Sequence, residues 1–226
     1  MPTMNAETAV LLSGGLDSAV LLAHETRTGV VQPVYVSTGL AWEASERATV
    51  GRLLGASIFK DGVRPLAELD VSVRDVYAPT HWALLGTPPS YDTPDEDVYL
   101  HGRNVILLSK AAVFCATRNI SRIALGSLAG NPFPDATRSF FDAMAEALSL
   151  GLDHRLEIAT PFSTLHKSDV IKLGLQLQVP FECTSSCMSP ISGEHCGLCS
   201  KCRERHDAFA EAGLPDPTRY VHPSPR

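Results

Sequence analysis

No lysine occurs between Met1 and Gly51. This excludes a Walker phosphate loop, whose G-x-x-x-x-G-K-[ST] run would have to follow the first strand. The spaced G-x-G-x-x-G of a dinucleotide fingerprint is missing there as well. No apolar run reaches the ~18 residues of a membrane helix, so no bilayer-spanning segment is expected. A basic stretch followed by an apolar one and a cleavage site is also lacking at the N-terminus, and the expected location is the cytoplasm. Positive charge is scarce: 19 Lys and Arg against 25 Asp and Glu leave a net charge of −6. Broad nucleic-acid binding wants a basic face to neutralise phosphates, so a small-molecule substrate is expected instead. There is no internal repeat, and biased composition is confined to the Pro-rich tail.

What is present begins with Ser13-Gly14-Gly15-Leu16-Asp17-Ser18, directly after the apolar run Ala9-Val10-Leu11-Leu12. Paired glycines let the backbone turn tightly and bring N–H groups toward an anion, while the next helix adds its dipole. The plain reading is a Gly-Gly turn capped by Ser and Asp at a helix start. The functional reading is a phosphate cradle, and the run resembles the SGGxDS loop of the PP-loop ATP pyrophosphatases. That resemblance implies cleavage of ATP between its α- and β-phosphates, with AMP passed to an oxygen of the substrate. The phosphate-binding set would be Leu12, Ser13, Gly14, Gly15, Leu16, Asp17 and Ser18.

The rest of the chain alternates strands and helices. Helices are expected over residues 16–28, 44–54, 103–117, 139–150, 168–177 and 203–212. Strands are expected over 9–12, 30–37, 57–59, 122–125 and 156–158. Repeated βα units imply an α/β fold, a doubly wound parallel sheet with ligands at the carboxyl ends of its strands. At 226 residues, the chain has room for one α/β domain over 1–180 and a small knuckle, helix and tail over 181–226. Residues 77–98 carry Pro79, Pro88, Pro89 and Pro94, which prevent regular structure, so a flap or binding loop is expected.

Cys187, Cys196, Cys199 and Cys202 are spaced C-x8-C-x2-C-x2-C. In a reducing compartment such steps favour a metal over disulfides, and four thiolates closing a tetrahedron suit a structural zinc. An iron–sulfur cluster and a plain cysteine-rich loop are the rivals. Cys183 competes with Cys187 for the fourth position, and Cys187 is preferred because it lies nearer the triplet. Cys115 sits in an apolar segment and reads as core.

An SGGxDS loop paired with a C-terminal four-cysteine knuckle resembles the 7-cyano-7-deazaguanine synthase family over nearly the whole chain. Leu100-His101-Gly102-Arg103-Asn104 looks like that family's Pro-Gly-Arg-Asn segment. Phe133-Pro134-Asp135-Ala136-Thr137-Arg138 is similar to its Tyr-Pro-Asp-Cys-Arg stretch. Thr160-Pro161 with Lys167 looks like its Thr-Pro…Asp-Lys segment, and Gly126 matches a glycine closing a strand near the nucleotide. The resemblance implies an ATP-dependent ligase, with ATP and Mg²⁺ as co-substrate, making a nitrile from a small carboxylate and ammonia. It implies homodimerisation too. Ser13, Asp17, Arg103 and Lys167 would be catalytic, and Asp135 and Arg138 would bind substrate. Asp17 reads equally as a Mg²⁺ partner or a helix cap, Lys167 and Arg103 as surface ion pairs, and Asp135 as a turn cap.

The chain also departs from that pattern. Thr38-Gly39-Leu40-Ala41-Trp42 stands where the family has aromatic-Gly-Gln-Arg-His, Asn131-Pro132 replaces Ser-Gly, and His166 replaces an Asp. These departures leave open a relative acting on a different carboxylate. A tRNA-modifying PP-loop enzyme and a nucleotide-binding scaffold are the other classes.

Overall fold

The computed structural model describes residues 7–223 and 225. Five strands form one sheet: β1 (Thr8–Leu11), β2 (Val31–Ser37), β3 (Ala67–Asp70), β4 (Arg122–Ala124) and β5 (Glu157–Ala159). All neighbours are parallel and the order is β3-β2-β1-β4-β5, so β1 is central. Registers such as Val10↔Pro33 and Val10↔Ala124 set the ends of β1, β2 and β4 side by side. The order reverses at β1, and a crevice opens there between the connections leaving β1 and β4.

The helices are α1 (Leu16–Glu25), α2 (Glu43–Leu54), α3 (Trp82–Leu85), α4 (Arg103–Ala116), α5 (Arg138–Leu152), α6 (Lys167–Gln176) and α7 (Ser200–Ala212). They cover both faces of the sheet, as a doubly wound sheet requires. Successive strand residues serve opposite cores. Val10 faces α1, α6 and α7 together with Leu16, Val20, Phe162, Ile171 and Phe209. Ala9 faces α4 and α5 with Val34, Leu108, Phe114, Phe141 and Ile158. Burying each such large apolar side chain stabilises the fold by about 1.5–3 kcal/mol.

The third strand is Ala67–Asp70, whereas the expected strand over 57–59 is a turn of 3-10 helix. Strand β3 lies at an edge and alternates half-buried Ala67 and Leu69 with exposed Glu68 and Asp70. Its half-polar pattern hid it among loop residues. Residues 77–98 are mostly irregular but hold α3 and a 3-10 turn at Asp95–Val98.

The C-terminal part of the chain packs on the sheet through α7, which lies along α6. Arg205 on α7 is 1% exposed and fully used. Its guanidinium donates to Thr218 Oγ1 at 2.5 Å, Thr184 Oγ1 at 2.9 Å and the Phe181 carbonyl at 3.0 Å, and it lies 3.4 Å from Asp216. A buried charge is tolerated only when so satisfied, and this one ties the C-terminal segment to the body.

Candidate active site

The glycine turn after β1 enters the crevice. Gly14 has φ +77°, a conformation that favours glycine, and a Cβ there would press on Thr49, Val50 and the Glu46 carbonyl at 3.2–3.3 Å. Ser18 Oγ donates to the Gly15 carbonyl at 2.9 Å, and the Gly15 N–H donates to Ser13 Oγ at 3.3 Å. Helix α1 starts at Leu16 with Gly15 as its cap and no side-chain acceptor on its first N–H groups. The loop therefore ends in backbone donors at a helix N-terminus, which suits an anion. Leu12 is buried beneath it. Gly126, after β4, packs so closely that a Cβ would lie 3.3 Å from the Asp17 backbone.

Asp17 does not cap the helix. Its Oδ2 lies 3.4 Å from Lys167 Nζ, and its Oδ1 is buried without a hydrogen-bond partner. Burial pushes the Asp17 carboxyl above its ordinary range even with Lys167 alongside. Lys167 opens α6 and is no surface pair: its side chain is 17% exposed and held between Asp17 and Glu204. Burial alone would lower its pKa, but the two carboxylates outweigh that and raise it above the ordinary lysine value. Glu204 is shared with Lys201 at 2.6 Å. Burial opposes ionisation there too, yet the two lysines hold Glu204 down to about 2.

Arg103 opens α4 after Gly102, whose φ of +72° turns the chain. One guanidinium nitrogen, NH1, is buried without a partner, a donor left over for a ligand. Asp135 is buried; its Oδ2 accepts from the Asn104 N–H at 3.0 Å, while Asn104 Nδ2 donates to the Asp135 carbonyl at 2.8 Å. It thus caps the start of α4 while lining the crevice. Burial raises its pKa despite the Asn104 hydrogen bond.

Two cavities meet here. A smaller one of about 230 Å³ lies over the strand ends, lined by Leu11, Val34, Val36, Leu107 and Leu125. A larger one of about 650 Å³ is lined by Trp42, Trp82, Tyr99, Asp135, Lys167 and Lys201, among others. Ser13, Gly15, Asp17, Glu46, Arg103, Asn104 and Gly126 line both. The phosphate loop, one carboxylate pair and one arginine therefore sit at the junction.

Arg138 does not reach this crevice. It is 74% exposed, pairs with Asp142 at 2.9 Å one turn along α5, and borders a different surface hollow. Its place at the outward-facing start of α5 sets it apart from Asp135, the other residue expected to bind substrate. Conversely, the crevice holds residues that motif reading passed over. Glu46 accepts from Tyr35 Oη at 2.9 Å and Trp42 Nε1 at 3.2 Å. Trp42 stacks on Trp82 with ring centroids 5.7 Å apart. Glu43 accepts from Ser37 Oγ at 2.6 Å and the Thr38 N–H at 2.7 Å, which shapes the turn after β2. Only the helical spacing of Glu43 and Glu46 signalled that these acids share one side of α2.

Cys187, Cys196, Cys199 and Cys202 converge, all buried, with their sulfurs within 4.8 Å of one another. A tetrahedron with metal–sulfur bonds of about 2.3 Å has edges of about 3.8 Å; the Cys199–Cys202 and Cys196–Cys202 separations are 3.5 and 3.9 Å. The N–H groups of Ser189 and Cys196 donate to Cys187 Sγ, and that of Leu198 to Cys196 Sγ, each at 3.3 Å. Such donors suit thiolates, so the donor set fits a closed metal site. Gly197 is required beside it, since a Cβ would lie 2.1 Å from the His222 carbonyl. Cys183 stands outside the group, and Cys115 is buried core, its thiol pushed up to about 12 by burial.

A parallel doubly wound sheet, an SGGxDS phosphate turn at its switch point and a four-thiol knuckle of metal-site geometry define a PP-loop nucleotide-dependent enzyme. The family profile described as "Queuosine biosynthesis protein QueC" matches residues 7–213. The chain belongs to that family. A 7-cyano-7-deazaguanine synthase of Thermoplasma volcanium is 33% identical over 96% of this chain and 92% of its own length. One of Methanopyrus kandleri is 34% identical over 96% of this chain and 99% of its own. A solved 4-thiouridine synthetase–RNA complex with bound ATP is 14% identical, covering 92% of this chain and 51% of that one with a TM-score of 0.48; that likeness is too loose for comparing sites. No described helix is long and apolar enough to cross a membrane.

Proposed function

We propose that the protein is an ATP-dependent ligase converting 7-carboxy-7-deazaguanine and ammonia into 7-cyano-7-deazaguanine, a queuosine precursor. The observation that carries this reading is the junction of the two cavities, where the SGGxDS loop and Arg103 meet a compartment of acceptor size that Lys167 also lines. The nucleoside of ATP would occupy the smaller cavity over the strand ends and the deazaguanine the larger. The acceptor carboxylate oxygen attacks the α-phosphorus, the bond to the β-phosphate oxygen breaks, and pyrophosphate leaves. Ammonia then adds to the acyl carbon, a proton is lost and AMP departs, leaving the amide. The amide oxygen attacks the α-phosphorus of a second ATP and a second pyrophosphate leaves; loss of two N–H protons and of AMP then leaves the nitrile.

This chemistry asks mainly for positioning and charge neutralisation. Ser13, Gly14, Gly15 and Ser18 hold the departing pyrophosphate with backbone and hydroxyl donors. Lys167 and the unpartnered nitrogen of Arg103 offset charge on the phosphates and the carboxylate. The unpartnered Asp17 Oδ1 suits a Mg²⁺ ion, which when bound would offset phosphate charge. Asp135 accepts from the N–H edge of the guanine-like ring, and the Trp42–Trp82 face offers a stacking surface. The four cysteines hold a structural zinc, whose contribution is folding free energy. Ammonia enters free or from a partner protein, the chain works as a homodimer in the cytoplasm, and nucleic acid is not a substrate.

ATP–pyrophosphate exchange with 7-carboxy-7-deazaguanine, followed by mass analysis of products, tests this reading. Exchange dependent on that acid, with AMP and the nitrile as products, is expected. ADP as the main nucleotide product would refute the PP-loop chemistry. Exchange only with another heteroaromatic carboxylate would keep the chemistry and move the acceptor, for which the altered Trp42 and Asn131-Pro132 lining of the larger cavity gives a reason.

A further inference from the structure

Much of the larger cavity is walled by segments outside the sheet, among them α7 with Arg203 and Glu204. Residues 77–98 cross over it as a strap, contributing Trp82, Asp95 and Val98 to its lining. Pro88, Pro89 and Pro94 lack N–H groups, so the middle of the strap cannot be held by a backbone ladder. Its first end is secured at α2 by the Trp42–Trp82 stack and by the Ala41 N–H donating to the Ala83 carbonyl at 3.0 Å.

Tyr77 Oη donates to the His101 carbonyl at 2.9 Å and Val98 packs with Leu40, Val73 and Leu100, while the polar contacts that tie residues 90–95 to the rest of the molecule come from the knuckle and α7. Arg203 NH1 donates to the Tyr91 carbonyl at 2.8 Å, and its NH2 lies 3.7 Å from Asp95 Oδ1. Lys201 Nζ lies 3.9 Å from that same oxygen, which is buried and has no hydrogen bond of its own. Ser90 pairs with Cys199 through a single antiparallel bridge. Among the described residues, Arg203 is therefore the side chain that grips the strap at two points, Tyr91 and Asp95.

We propose that Arg203 is a positioning residue for the acceptor: it holds residues 87–98 down on α7, so that the cavity wall is built before the acceptor arrives. Resting on the acceptor assignment above, this predicts a division of labour. Nucleotide affinity depends on β1, β4 and the phosphate turn, whereas acceptor affinity depends on α7. With the strap unheld, the acceptor must order it on binding, and that cost appears in acceptor affinity.

The test compares Arg203→Ala, Arg203→Lys and Asp95→Ala by hydrogen exchange of the ligand-free full chain, together with steady-state kinetics. Arg203→Ala should speed exchange over 87–98 by about tenfold or more, while the sheet amides and the metal content stay as in the wild type. Asp95→Ala, which leaves the knuckle sequence intact, should act in the same direction. Arg203→Lys should restore most of the protection. The acceptor KM should rise by about fivefold or more in Arg203→Ala and the ATP KM by less than about twofold. Unchanged exchange in both Ala variants would overturn the proposal, as would equal changes in the two KM values. A wild type inert toward 7-carboxy-7-deazaguanine would instead refute the acceptor; the exchange readout needs no acceptor and still decides whether Arg203 holds the strap.

Discussion

Replacing Lys167 by Met keeps its bulk and removes the charge between Asp17 and Glu204. In the wild type Glu204, 24% exposed, is held at about 2 rather than its ordinary 4.5. At about 1.4 kcal/mol per pKa unit this is worth about 3 kcal/mol of stability, shared between Lys167 and Lys201. Because the folded value is lowered, that stability is present above pH 4.5 and is lost as pH falls toward 2. In the variant, Asp17 and Glu204 face each other with less compensation, and burial already raises Asp17 with the lysine in place. A carboxylate whose folded pKa is raised costs stability when ionised and stops costing it once protonated. The penalty should therefore be about 2–4 kcal/mol at pH 7, in the range for breaking a buried pair. It should shrink by about 1 kcal/mol or more at pH 4. Urea unfolding of both proteins at the two pH values, with matched slopes, measures the difference. A penalty below about 1 kcal/mol at pH 7, or one independent of pH, would refute the account of Lys167 as a cation clamped by two acids. If Lys167 also steadies phosphate charge, exchange should fall by about tenfold or more beyond any loss of folded protein.

Purified protein should contain close to one zinc per chain and no iron–sulfur absorbance; Cys199→Ser should lose the metal and unfold α7 before it alters the nucleotide products. Asp135→Ala should lower kcat/KM for the acceptor by about tenfold or more with little effect on ATP affinity, measured by steady-state kinetics. Because Asp135 Oδ2 also accepts the Asn104 N–H, the same variant should lose about 1 kcal/mol of stability in urea, and an unchanged midpoint would exclude the capping role.

The phosphate turn and the cysteine spacing were legible because each is a local pattern with few physical alternatives. Most helices were legible too, since their apolar periodicity matches one buried face; α1, α2 and α4 lie within a few residues of expectation. Strand β3 was not, because an edge strand with one wet face carries half the apolar signal of a buried one. Lys167 and Arg103 were identified by motif alone; their tertiary partners, Glu204 and the junction of two cavities, come from elements far apart in the chain. Arg138 shows the limit of a contiguous motif: its neighbour Asp135 lines the crevice, while Arg138, at the start of α5, turns outward to Asp142. Glu46 and Trp82 escaped because stacking and hydrogen bonding across separate segments leave no mark on spacing; Trp42, flagged in the altered stretch after β2, gained its role only through its stack on Trp82.

The central place of β1 has a consequence for biosynthesis. Its partner on one side, β2, follows within a few dozen residues, but on the other side Thr8 pairs with Arg122. The phosphate turn at the end of β1 therefore cannot acquire its second flank, Gly126, until more than half the chain has been made. At a synthesis rate of about 5–20 residues per second, β1 waits on the order of ten seconds with one hydrogen-bonding edge open. An unpaired apolar edge invites pairing with other chains. Arg122, which joins β4 to buried Glu25 at the far end of α1, is placed to close that edge as soon as it emerges. The ribosome, by setting when β4 appears, thus sets how long the nascent chain stays vulnerable to misassembly.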